Sequence, residues 1–127
     1  MTKYVIDAYA WIEYLDGSTK GKKVAALLEN NDETYTCALT LGEVVSKVAR
    51  MGKDAKIAYD VLISNSQILS VDEEISLQAG LVHYEMRKTS KDFGLADAYI
   101  LATARKLKSK IVTGDPHFKG LKDAIMV

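Results

Sequence analysis

The sequence predicts an α/β fold with a mainly parallel central sheet, and three observations lead there. Short β-branched runs alternate with longer helical patterns, as in a sheet covered by helices. The 127 residues, 48% of them hydrophobic, suffice for one core without disulfide or metal staples, so a single domain over residues 1–127 is expected. No repeat, low-complexity tract or interdomain linker interrupts the pattern.

The elements follow in order. Lys3 to Ile6 reads as a first strand, followed by a helix from about Tyr9 to Leu15. Asp16-Gly17-Ser18 turns the chain into a second helix through Val24, Ala25, Leu27 and Leu28. A second strand is expected at Thr34 to Ala38, then helices at about Leu41 to Met51 and Ala55 to Ser64, separated by Gly52. A short strand at Gln67 to Val71 precedes a helix from Glu73 to Lys88, whose positive end suits Asp72-Glu73-Glu74. After the polar connection Thr89 to Asp92 come a helix reaching about Leu107, a strand at Lys110 to Thr113, a Gly-Asp-Pro turn and a last strand near Ala124 to Val127.

Bulk properties narrow the setting. Cys37 is the only cysteine, and its neighbours Tyr35-Thr36 and Ala38-Leu39 suit a buried strand, so no internal disulfide forms and a reducing, cytoplasmic location is expected. Asp7 interrupts any apolar leader, and no later stretch suits a bilayer span, so no membrane association is expected. Lys and Arg total 17, as do Asp and Glu, so any site for a polyanion must be local.

Ligands of parallel sheets sit beyond the carboxyl ends of the strands, which directs attention to residues just after strands. Asp7 directly follows Tyr4-Val5-Ile6 and is the only charge between Lys3 and Glu13; a helix-capping role is the alternative. Asp97 is the only charge in Phe93 to Ala102, a helix apolar on nearly every face, where an ionised carboxylate needs a partner or a metal. For Asp97 the alternative is a first-turn acid favoured by the helix dipole, or one salt-bridged to a lysine. Glu43 fits a capping box with Thr40, with Lys47 four residues on as an ion-pair partner, but it also opens the helix after the second strand. Asp115, in Thr113-Gly114-Asp115-Pro116, suits a turn and also emerges at the sheet's carboxyl edge.

Jointly the pattern is more specific than its parts. Carboxylates gathered within a few ångströms resist joint ionisation unless a divalent cation compensates them. Hard Mg²⁺ or Mn²⁺ suits such oxygens, and the chemistry this supports is metal-assisted phosphodiester hydrolysis.

Other chemistries fit less well. His83, His117 and Cys37 are too few and too scattered for a zinc motif, no Gly-x-Ser-x-Gly elbow occurs, and both histidines read as surface or helix residues. Gly17 to Lys23 lacks the spacing and the final Ser or Thr of a phosphate-binding loop and reads as a turn with a solvated basic helix start. An aspartyl-phosphate receiver would use Asp7 and Thr113 but leave Glu43 and Asp97 unexplained.

Four segments, in this order, resemble the motifs of the PIN domain, and within it the small toxin ribonucleases of VapBC toxin–antitoxin pairs. They are Tyr4 to Ile12, Leu39 to Val44, Leu95 to Ala104 and Thr113 to Phe118. The resemblance implies a PIN-like three-layer α/β/α fold with Asp7, Glu43, Asp97 and Asp115 as catalytic residues and ligands of Mg²⁺ or Mn²⁺. It further implies cleavage of single-stranded RNA, a homodimer and a VapB-type antitoxin. Where family members often carry Ser or Thr just after the first acid, this chain has Ala8 and Tyr9, so the supporting hydrogen bond must come from elsewhere, with Thr113 as the candidate.

Arg87, Lys88 and Lys91, with Thr113, are the expected substrate contacts; Lys106, Lys108 and Lys110 form a second basic group, each also readable as an ordinary solvated lysine. Tyr9 and Trp11 are candidates for base stacking, Trp11 equally for the core. Asp92 reads as a helix cap or an outer ligand. Alternative functions are a PIN nuclease of RNA processing or decay without an antitoxin, and a non-catalytic PIN module binding RNA or protein.

Overall fold

A computed structural model of the chain describes residues 2–30 and 33–127. Among these residues five strands form one sheet: β1 (Lys3–Ile6), β2 (Glu33–Cys37), β3 (Gln67–Leu69), β4 (Lys110–Thr113) and β5 (Ala124–Met126). Their order is β3-β2-β1-β4-β5 and every pairing is parallel. The helices are α1 (Ala8–Asp16), α2 (Thr19–Glu29), α3 (Ala38–Arg50), α4 (Ala55–Asn65), α5 (Glu73–Met86) and α6 (Leu95–Leu107), with a 3-10 turn at Pro116–Phe118.

The strand alternation sorts the core into two layers. Tyr4 and Ile6 of β1 join Val112 of β4 on one face, packed against Trp11, Val24, Val44 and Leu62 from α1 to α4. Val5 and Ile111 point the other way, onto Phe93 and onto Ala79 and Leu101 of α5 and α6. Two helical layers therefore enclose the sheet, giving the three-layer α/β/α architecture. Each large side chain buried here contributes about 1.5–3 kcal/mol. Trp11 is fully buried and its Nε1 donates to Thr36 Oγ1 at 3.1 Å, so it is a core residue and not a platform for bases.

Several boundaries differ from the sequence reading. Cys37 passes straight into α3, which starts at Ala38 and not at Leu41. The capping box therefore does not form: Cys37 is the N-cap, and the buried Thr40 Oγ1 has no hydrogen-bond partner among the described residues. Arg87 caps α5 at Met86, and β3 ends at Leu69, leaving Val71 exposed. The Gly17 to Lys23 segment is indeed a turn and a helix start. Gly17 takes φ +66, Ser18 accepts from Gly21 N at 3.0 Å, and a Cβ on Gly21 would lie 2.0 Å from Glu13 O, so glycine lets α1 and α2 approach. Among the described residues no helix is long and apolar enough to cross a membrane.

The topology also determines where ligands bind. The chain moves from β1 out to β2 and β3, then returns to lay β4 on the other flank of β1. This reversal opens a crevice beyond the carboxyl ends of β1 and β4.

Candidate active site at the carboxyl edge of the sheet

Three acids hang directly on that crevice. Ile6 pairs with Val112, so the residues leaving β1 and β4 emerge side by side. Asp7 is the N-cap of α1: its Oδ1 accepts from Ala10 N at 2.9 Å, and its Oδ2 accepts from the buried Thr113 hydroxyl. Thr113 Oγ1 in turn accepts from Asp115 N at 2.9 Å, so one hydroxyl ties the first acid to the fourth. This is the supporting bond that Ala8 cannot make. Because Thr113 is fully buried, it holds the acid and presents no surface to a substrate.

Asp97 arrives from the opposite layer. It lies in the first turn of α6, and its Oδ2 accepts from Gly94 N at 3.0 Å, the bond by which its carboxylate caps the helix. Asp115 likewise caps the 3-10 turn, accepting from His117 N at 2.9 Å. Capping and clustering are thus compatible: helices that begin at the carboxyl edge aim their capping carboxylates into one crevice. His117 Nδ1 stands 3.1 Å from Asp97 Oδ2 and 3.3 Å from Asp115 Oδ1, and ligand atoms of these three residues all lie within 4.8 Å of one another.

Glu43 completes the group. Because α3 starts early, Glu43 falls in its second turn and lines a cavity of about 570 Å³ together with Tyr9, Lys47, Arg50 and Asp115. Partial loss of hydration there, and then the negative charge of Asp97, push its carboxyl above the ordinary range. Asp7 is displaced much further, to about 7, mainly by burial, with the charges of Asp115 and Asp97 adding to it against the opposing Thr113 and Ala10 hydrogen bonds. All four acids are therefore electrostatically coupled, Asp7 to Asp97 and Asp115, and Glu43 to Asp97.

The other residues singled out in the sequence lie elsewhere. Arg87, Lys88 and Lys91 line a separate hollow of about 540 Å³ with His83 and Tyr84, none of which borders the acids' cavity. Lys88 there pairs with Glu85 at 3.1 Å. Lys108 and Lys110 sit at the start of β4, the opposite edge of the sheet, and Lys106 reaches Glu74 at 3.4 Å. Asp92 is exposed and is not the cap of α6, a position held by Gly94.

Four residues take places at the site that the sequence reading did not give them. His117 looked like a surface residue, yet it stands two positions after Asp115, and the single helical turn folds its ring back onto the acids. Lys47 and Arg50 follow Glu43 by four and seven residues, so they share its face of α3; among the described residues Lys47 forms no ion pair with Glu43. Gly114 lets the Tyr9 ring close the cavity, since a Cβ there would lie 2.2 Å from Tyr9 Cε1.

This arrangement fits a hard divalent cation. Its donors include carboxylate oxygens, the Asp7 and Glu43 carboxyls are raised first by burial and then by neighbouring acids, and among the described residues no lysine or arginine pairs with any of the four acids. The structure thus contains an acidic group able to hold a metal.

Comparisons with known proteins agree with this fold. The family profile described as PIN domain matches residues 4–124. No curated protein matches the sequence. Among solved structures, the chain is similar to a toxin–antitoxin complex from Klebsiella pneumoniae at TM-score 0.78 and 19% identity, covering 97% of this chain and 96% of that one. Mycobacterium tuberculosis VapC20, a Sarcin-Ricin loop cleaving toxin, superposes at TM-score 0.78 and 18% identity over 98% of both chains. VapBC2 from Rickettsia felis, solved bound to a DNA fragment from its promoter, gives TM-score 0.77 at 16% identity, covering 99% of this chain and 98% of that one. At such identities the likeness is one of fold.

Proposed function

The chain belongs to the PIN domain family, and from that premise we propose that it is a metal-dependent endoribonuclease, the toxin of a toxin–antitoxin pair, which hydrolyses single-stranded RNA. The observation that supports the reading most is the charge coupling of these acids at the carboxyl edge of the sheet, Asp7 to Asp97 and Asp115 and Glu43 to Asp97, with the Asp7 carboxyl pushed to about 7. Carboxylates so placed serve a reaction that needs a cation beside a phosphodiester.

Asp7, Glu43, Asp97 and Asp115 would hold Mg²⁺ or Mn²⁺, which supplies charge neutralisation at the phosphate and makes a water more acidic. The chain's own part is positioning and proton handling. Thr113 and the Ala10 amide hold both Asp7 oxygens in place. Glu43, with its raised carboxyl at the cavity wall, takes the proton from the attacking water. The water oxygen bonds to phosphorus, one bridging P–O bond breaks, and the leaving oxygen gains a proton. Lys47 and Arg50 meet flanking phosphates, and the Tyr9 ring offers a face for a base.

The exposed apolar surface supports the partners proposed here. Leu77, Leu81 and Tyr84 repeat at spacings of four and three along the open face of α5 and suit a homodimer contact. A groove of about 200 Å³ lined by Ile12, Leu15, Val48, Met51 and Ile57 suits an apolar segment of a VapB-type antitoxin. The free buried Cys37 accords with a cytoplasmic setting.

The test is cleavage of single-stranded RNA with Mg²⁺ or Mn²⁺, with chelator controls and the Asp7→Asn and Asp97→Asn variants. Metal-dependent cleavage by the native chain, lost in both folded variants, is expected. Full activity in both variants would overturn the assignment.

A further inference from the structure

We propose that His117 is a direct nitrogen ligand of the cation and tilts this site from Mg²⁺ towards first-row transition ions such as Mn²⁺. The inference rests on the nuclease reading above and adds a ligand, and with it a metal preference, that the four acids do not supply.

Geometry comes first. An octahedral ion with ligands near 2.0–2.1 Å has adjacent corners about 3 Å apart. His117 Nδ1 lies 3.1 Å from Asp97 Oδ2 and 3.3 Å from Asp115 Oδ1, so each pair spans one edge of such an octahedron. The third separation, within 4.8 Å, accommodates either adjacent or opposite corners.

The ligand atoms are also held in advance of binding. Asp115 caps the turn that carries His117, through His117 N to Asp115 Oδ1 at 2.9 Å, so both donors ride on one short, internally bonded segment. Pro116 restricts that turn at its first position, and Phe118 anchors its end in the core, edge-on to Phe93 at 5.9 Å between centroids. Asp97 is fixed independently by the Gly94 amide. Side chains locked by such supports make a site of defined geometry.

Ligand chemistry then gives the preference. Carboxylates alone suit Mg²⁺ and Mn²⁺ alike, whereas an imidazole nitrogen adds affinity for transition ions and little for Mg²⁺, which prefers oxygen and keeps its waters. A different role for the same contacts would be a protonated His117 acting as an internal counter-ion. That role has the opposite signature, because removing the counter-ion would strengthen binding of every cation.

The experiment is Mn²⁺ binding to the full chain, followed by electron paramagnetic resonance with Mg²⁺ as competitor, on the native protein, His117→Ala and His117→Asn. The imidazole is 37% exposed, so truncation opens no core cavity. In the Asn variant an amide oxygen takes the place of Nδ1. Expected results are a directly bound nitrogen in the pulsed spectrum of the Mn²⁺-loaded native protein, lost in both variants. Mn²⁺ affinity should fall about tenfold or more in His117→Ala, with a far smaller change for Mg²⁺. His117→Asn should retain Mg²⁺ binding while the preference for Mn²⁺ disappears. A native Mn²⁺ complex that cleaves RNA but shows no bound nitrogen would overturn this inference alone, as would unchanged or tighter binding of both ions by His117→Ala. A native protein that binds neither ion would overturn the nuclease reading as well.

Discussion

Asp7→Asn should make the metal-free protein more stable at alkaline pH while abolishing its chemistry. Burial raises the Asp7 carboxyl from 3.8 to about 7 in the folded state. Below the unfolded value both states carry the neutral acid and no penalty arises. As pH rises from there, the unfolded chain loses the proton first, and folding is penalised at about 1.4 kcal/mol per pH unit. The penalty stops growing above about 7, where it amounts to roughly 4 kcal/mol. Asparagine has no charge to bury, but its amide replaces an oxygen that accepts from Thr113, at a cost of about 1–3 kcal/mol. The variant should therefore be more stable than the native chain by about 1–3 kcal/mol near pH 8, and less stable by a similar amount near pH 4. Urea denaturation in chelator, followed by fluorescence of the buried Trp11, measures both values. Added Mg²⁺ or Mn²⁺ should stabilise the native chain at the higher pH far more than the variant. A difference of constant sign across this range would refute the claim that an uncompensated buried carboxylate strains the site.

Thr113→Val keeps the shape but removes the hydroxyl shared by Asp7 and Asp115, so cation affinity should fall about 10–100-fold, read by calorimetry. Lys47→Ala combined with Arg50→Ala should weaken RNA binding with little regard to sequence and flatten its salt dependence by about two phosphate contacts in a filter-binding series. Gly21→Ala should destabilise the fold by about 1–3 kcal/mol or more in thermal unfolding, because the new methyl meets a backbone carbonyl at 2.0 Å and α1 must move off α2. Leu101→Ala, in the buried core one turn after Asp97 on α6, should cost about 2–5 kcal/mol in the same assay.

The alternation of strand and helix, the parallel sheet and the acids worth attention were legible in the sequence because each rests on local pattern. Asp7 and Asp97 stand out as single charges in apolar runs, and Asp115 and Glu43 follow strands. Element boundaries were less legible where one local signal mimicked another. Thr40 to Glu43 has the spacing of a capping box, yet the apolar residues Ala38 and Leu39 continue the helix back to the strand, and that earlier start turns Glu43 towards the cavity.

What the chain's own pattern could not reveal was which distant side chains become neighbours. Arg87, Lys88 and Lys91 were expected to contact the substrate, but they line a different hollow, while Lys47 and Arg50 reach the acids' cavity from α3. His117 is unremarkable in one dimension; only the turn capped by Asp115 and anchored by Phe118 brings its ring against Asp97. Local periodicity reports each residue's preference for apolar or polar surroundings, whereas charge coupling and ligand geometry depend on distances through space, and those exist only once β1 and β4 lie side by side.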